Sequence, residues 1–296
     1  MRKKSTAFMT ETTVTHGEVY GNSRLETYPD GRQILTIASK PIFRRAGFES
    51  ISFEQKQGAD SQMDLLLTHP TDAPWEEYIN ADNINRSRRR AVAKFRKIAL
   101  CNNFRYFVTL TLDKAVIDRY DLGAAVKNMN IWLSNRVSRK GLQYALVPEQ
   151  HEDGAYHFHG FFNDALDMAD SGTLRLQGKK KPRRPRSKAQ RQEWLDDGAA
   201  VVYNIPDWKF GFSTAIELYG DRQKSASYCC KYITKAGEKL GGRWYFSGGG
   251  LRLPTVEILD LIPDFGEKDG EFVYDIPAIG CPCKVFEYRG DTDTRG

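Results

Sequence analysis

The chain has 296 residues, 40% of them hydrophobic and 12% aromatic, enough apolar side chain for one good-sized core and a small appendage. No stretch approaches the roughly 18 apolar residues of a membrane span, and the N-terminus lacks the apolar core of a secretion signal. The expectation is a cytoplasmic protein without a membrane partner. A formal charge of +6 and a pI near 8.9 point towards a polyanionic partner. Five cysteines without framework spacing suit a reducing compartment, and Cys281-Pro282-Cys283 lacks the second thiolate pair that a structural zinc site needs.

In chain order, residues 1–83 form an N-terminal extension with strand-like pieces around the turn at Tyr28-Pro29-Asp30-Gly31. Residues 84–100 read as a basic helix with Val92, Phe95, Ile98 and Ala99 near helical spacing. Between Arg86 and Arg105 there are eight basic residues and no acid, which makes Arg86, Arg88, Arg89, Arg90 and Lys94 candidates for phosphate contacts. Tyr106 to Leu112 is the strongest strand pattern in the chain, rich in β-branched and aromatic residues. An amphipathic helix is predicted over 120–138, with Met129, Trp132 and Leu133 on its apolar stripe. A second strand, Leu142 to Glu149, turns at Glu152-Asp153-Gly154 into a third, Tyr156 to Phe162.

Residues 171–200 read as a basic insertion. Its stretch 178–188 holds seven lysines and arginines, two prolines and no apolar residue, so a mobile loop is expected there. A helix near 222–237 follows, and a closing strand is expected near Asn204 or Trp244. From Val256 onwards ten acids face four bases, which sets off an acidic C-terminal extension over 255–296. The middle segment, 84–254, is the working domain. Its order of strand, helix, strand, strand, helix is that of an α+β, ferredoxin-like split β-α-β layer.

Two features carry chemistry. His157-Phe158-His159 lies on a strand, where alternation points both imidazoles to one face and Phe158 to the other. Two neutral imidazoles are half of a divalent-metal site, and a carboxylate would complete a three-ligand set with open positions. Glu149 ends the neighbouring strand and is the first choice. Gln150, Glu152 and Asp153 are runners-up, decided by the hairpin register, and His151 reads as a surface residue. In Tyr228-Cys229-Cys230-Lys231-Tyr232 the two phenols sit four residues apart, stacked on one helix face. A phenol is a poor nucleophile at neutral pH, so it needs a polarised target and a nearby cation. Lys231 and Lys235 are placed to supply that charge.

Taken together, the strand Phe107 to Leu112, the His157-Phe158-His159 strand and the Tyr228–Tyr232 segment resemble the three ordered motifs of rolling-circle replication initiators, the HUH endonucleases of small phages and plasmids. The resemblance covers roughly residues 105–250. It implies an HUH endonuclease fold, an RRM-like antiparallel sheet whose central strands bind metal, with a helix carrying the tyrosines. It also implies a Mg²⁺ or Mn²⁺ cofactor on Glu149, His157 and His159, and nicking of single-stranded or hairpin origin DNA through a 5′-phosphotyrosine bond. The 3′-hydroxyl left behind would prime the polymerase of a bacterial host. The Tyr-x-x-Lys-Tyr form resembles the two-tyrosine phage initiators; single-tyrosine relatives use the tyrosine three residues before the lysine, here Tyr228. There is no Gly-x-x-x-x-Gly-Lys-Ser/Thr stretch, so a host helicase is expected as partner. A monomer or weak dimer is expected. A relaxase or transposase with the same chemistry and a non-catalytic RRM-like nucleic-acid-binding protein remain the competing readings.

Overall fold

A computed structural model describes residues 20–44, 74–150, 153–179, 181–218, 222–236, 239–261, 272–276 and 280–288. The elements run β1 (Tyr20–Gly21), β2 (Ser23–Thr27), β3 (Gln33–Ala38), β4 (Phe43–Arg44), α1 (Pro74–Cys101), β5 (Tyr106–Thr111), α2 (Leu122–Lys140), β6 (Tyr144–Gln150) and β7 (Tyr156–Phe162). They continue with β8 (Ala169–Arg175), α3 (Lys188–Asp196), β9 (Ala200–Asn204), β10 (Ser213–Glu217), α4 (Arg222–Lys235), β11 (Phe246–Gly248), β12 (Thr255–Leu259), β13 (Phe272–Ile276) and β14 (Cys281–Tyr288). The chain is α+β with antiparallel sheets, an arrangement compatible with an RRM-like fold.

The chain divides into two compact units. One comprises residues 1–79 together with 254–296, the other residues 80–253. In the first, strands from both ends of the chain build one five-stranded antiparallel sheet in the order β12-β2-β3-β14-β13. Arg32 is buried there, with its guanidinium over the Tyr28 ring. Burying a charged group this way is favourable only with such partners.

The second unit is built on a seven-stranded sheet, β11-β6-β7-β5-β10-β9-β8. Its centre, β6-β7-β5-β10, has the strand order of a ferredoxin-like layer, with β7 between the two strands that the α2 crossover joins. Alternation along β5 sorts its side chains. Tyr106, Val108 and Leu110 pack on one face against Ala125, Met129, Trp132 and Leu133 of α2. The opposite face carries Phe107 and Phe161 under Phe95 and Ile98 of α1 and Ala226, Cys229, Cys230 and Ile233 of α4. The sheet is thus the middle of three layers. All five cysteines are buried and free.

Two expectations need correction. Strands form near both positions expected to close the layer, β9 at Asn204 and β11 beside Trp244, yet the strand that pairs with β5 is β10. It precedes α4, so the tyrosine helix follows the closing strand. The basic stretch within 171–200 is also not a bare loop. Arg183 and Leu174 exchange backbone hydrogen bonds of 2.8 and 2.9 Å, Arg191 pairs with Asp170, and Ser187 caps α3. Polar and backbone contacts do there what apolar burial does elsewhere, and Leu174 alone on β8 is fully buried.

Candidate active site

Cross-strand register assembles the site. On β7, His157 stands opposite Glu149 of β6 and Thr111 of β5, while His159 stands opposite Val147 and Thr109. Directly opposed residues share a face, so both histidines, Glu149 and both threonines point to the side covered by α4. Gln150, one position on, pairs with Tyr156 and bonds to its hydroxyl and to the Gly154 carbonyl. Asp153 is paired with Arg119. Of the runners-up for the third ligand, these two are therefore engaged in the hairpin; Glu152, like His151, lies outside the described residues.

His159 is buried. Its Nδ1 meets Thr109 Oγ1 at 3.0 Å, and its Nε2 lies 2.8 Å from Glu149 Oε2 without the alignment of a hydrogen bond. His157, half-buried, meets Thr111 Oγ1 through Nδ1 at 3.2 Å. The two imidazole planes are within 7° of parallel, with centroids 6.4 Å apart. Each threonine fixes one ring and leaves Nε2 as the outward donor, the role that outer partners play around metal-ligating histidines. Sequence reading placed Thr109 and Thr111 on one face with no more than a supporting role. Their spacing matches that of the histidines, but the one-to-one pairing appears only with the register.

The fit to a hard divalent cation can be tested on these distances. Two ligands at right angles on an octahedral ion of about 2.1 Å bond length stand about 3 Å apart, close to the separation of His159 Nε2 and Glu149 Oε2. His157 shares their face. Among the described residues no three His, Cys, Asp or Glu side chains converge on one point. Two donors are thus at ligand spacing, and the third requires a side-chain rotation to join them.

Helix α4 brings the phenols over this strand. Its apolar positions Ala226, Cys229, Cys230 and Ile233 are buried, and this orients Tyr232 so that its ring stacks on His159 at 4.8 Å and 11°. Tyr228 packs edge-on against Phe107 and remains 46% exposed. The Tyr232 hydroxyl donates to the Tyr228 hydroxyl at 2.7 Å. Burial, then that hydrogen bond and the nearby Tyr228 and Glu149 oxygens, push the Tyr232 phenol far above its ordinary range, so it stays protonated. A cavity of about 620 Å³ opens beside the pair, lined by Glu149, Gln150, Tyr232 and Lys235 among others.

The candidate cations are distributed around α4. Lys235 lines the cavity with Glu149 and Tyr232. Lys231 lines a separate groove of about 360 Å³ between α4 and α1, together with Arg96, Val92 and Lys235. Arg88 donates to the Ala236 carbonyl just past the end of α4 and to Asn85, so it ties the two helices together. Arg86, Arg89, Arg90 and Lys94 are exposed on α1. Basic side chains thus line both helices facing the groove, as a backbone-binding surface requires.

No curated protein and no solved structure matches the chain. Residues 105–237 do match a family model, that of replication-associated proteins of the ORF2 type, and this segment, which holds His157, His159, Tyr228 and Tyr232, belongs to that family. The match supports a role in initiating replication and is consistent with a rolling-circle replication initiator. Among the described residues no helix is long and apolar enough to cross a membrane.

Proposed function

We propose that the protein is a rolling-circle initiator of the two-tyrosine type, a metal-dependent DNA nickase and strand transferase that opens an origin and later reseals the product. The observation that carries this reading is the stacking of Tyr232 on His159, which sets both phenols of α4 above the face holding His157, His159 and Glu149. Glu149, His157 and His159 would hold Mg²⁺ or Mn²⁺, which when bound supplies positive charge to a non-bridging phosphate oxygen.

Tyr228, the more exposed phenol, attacks phosphorus. An Oη–P bond forms and the bond to the 3′-oxygen breaks; the proton lost by the phenol is balanced by the one taken up at the 3′-oxygen. The product is a 5′-phosphotyrosine and a free 3′-hydroxyl, and because one phosphodiester replaces another, no ATP is needed. Tyr232 supports the step by donating its hydroxyl to the oxygen on which charge develops, its own proton kept by burial. In a second transfer Tyr232 attacks in turn. Lys235, on the cavity wall, supplies a cation for the phosphate. A host polymerase extends the 3′-hydroxyl and a host helicase opens the duplex.

The test is cleavage of end-labelled, single-stranded origin DNA in Mn²⁺ and in EDTA. The proposal expects cleavage only with metal, and its loss on Glu149→Ala and on a His157→Ala/His159→Ala double change while DNA binding persists. Undiminished binding with no cleavage in any metal would instead favour a binding module on an RRM-like sheet.

A further inference from the structure

We propose that Phe212 is a positioning residue that stacks on a nucleobase of the cleaved strand, about one to three nucleotides from the scissile phosphate; this rests on the nicking reading above. Single exposed apolar side chains are ordinary on protein surfaces. Phe212 is distinguished by how firmly it is held and by where it stands. It is 72% exposed, the highest value among the exposed large hydrophobic side chains of the described residues.

Its backbone is not a free loop. The Phe212 carbonyl accepts from Thr111 N at 2.8 Å, continuing the β10–β5 ladder by one residue beyond Ser213↔Leu110. Gly211 before it has φ +151°, and a Cβ there would stand 2.4 Å from the Thr111 carbonyl oxygen and 2.5 Å from Asp113 N. Only glycine lets the chain approach so closely. Trp208 donates to the Thr111 carbonyl and packs edge-on against Phe210, which pins the segment before the turn.

Alternation then fixes the face. The Ser213 hydroxyl bonds Ile205, a member of the core on the α2 side, so Phe212 projects to the opposite side. That side bears Thr111 and, across β5, His157. Phe212 and His157 lie two strand spacings apart, about 10 Å. At about 3.4 Å per nucleotide along a duplex strand, and more when the strand is extended, this spans one to three nucleotides. Every base has a π-face, so a rigid aromatic here holds the strand without demanding a sequence.

The experiment uses the full chain with a series of single-stranded origin oligonucleotides, each carrying one abasic site near the nick, and reads both binding by fluorescence anisotropy and cleavage. Phe212→Ala should weaken binding and raise KM by about 5- to 150-fold, the value of one stacked base, with kcat at saturation and thermal stability unchanged. One abasic position within three nucleotides of the nick should cost the wild type the same factor and cost Phe212→Ala nothing more. Phe212→Trp should retain wild-type binding. Unchanged binding in Phe212→Ala, or abasic and alanine penalties that simply multiply at every position, would overturn the proposal. Absence of cleavage in the wild type itself would instead strike the nicking reading, while the anisotropy series still decides whether Phe212 stacks on a base.

Discussion

At the scale of single residues, the site is a set of pairings between groups that each constrain the other. Thr109 orients His159, His159 supports Tyr232, and Tyr232 donates to Tyr228. Thr109→Val keeps the volume and removes the hydroxyl at His159 Nδ1. The Mn²⁺ concentration for half-maximal cleavage should then rise by about 10- to 100-fold, as for other outer partners of metal ligands. The Tyr232 phenol offers a second measurement. Its proton is held more tightly in the folded state, chiefly by burial, so its contribution to stability is complete below the ordinary phenol pKa of about 10. Stability should fall as pH rises from there, because the unfolded chain gives up a proton that the folded chain keeps. Urea melts of wild type and Tyr232→Phe across alkaline pH should show the variant to be flatter in that window.

Much of this was legible in the residues. The His157/His159 pair and the Tyr228/Tyr232 spacing each follow from one element's own periodicity, and both pairs share their predicted faces. The choice of Glu149 over Gln150 depends on which residue of β6 meets His157, a register that a hairpin sequence leaves open. The threonine partners and Phe212 were hidden for the same reason. Each matters through a neighbour on another strand.

At the scale of elements, hydrophobic pattern decided what could be read. The strand β5, the helix α2 and the β6–β7 hairpin have strong apolar periodicity and lie close to their expected bounds. The helix α1 is longer than expected, beginning at Pro74. Strand β8 was concealed by polar and charged neighbours, and β10 by its short length. The hairpin and α4 support the site directly, and each gives a prediction. A Cβ on Gly160, between His159 and Phe161, would stand 1.9 Å from the Ala145 carbonyl oxygen of β6. Gly160→Ala should therefore destabilise the fold by about 1–3 kcal/mol or more, as overpacking does, and should lower cleavage even where the protein remains folded, since β6 carries Glu149. Ile233 is fully buried beneath α4. Ile233→Ala should cost about 2–5 kcal/mol in urea unfolding.

At the scale of the whole molecule, a net charge of +6 coexists with an acidic C-terminal segment, so the basic residues are unevenly placed. Those on α1 that are exposed, Arg89, Arg90 and Lys94, give a quantitative expectation. If each meets a phosphate, neutralising all three should reduce the slope of log K against log salt by about 0.7 per contact on a single strand, with little change in cleavage at saturating DNA. The two extensions could not be read as partners from sequence, because strands β2 and β3 and strands β12 to β14 are separated by the whole of the second unit. The second unit contains its own sheet, both faces of its core and every residue assigned to the reaction.

The central claim is that the phenols of α4 form a covalent bond with DNA under the control of the histidine face. Its most direct measurement is a denaturing-gel assay for a protein–DNA adduct on single-stranded origin DNA in Mn²⁺, run for wild type, Tyr228→Phe, Tyr232→Phe and the double variant. The account predicts an adduct in the wild type that is lost or strongly reduced in Tyr228→Phe, weakened in Tyr232→Phe and absent from the double variant. An adduct of undiminished yield in the double variant, or none from folded wild-type protein on any origin fragment, would contradict it.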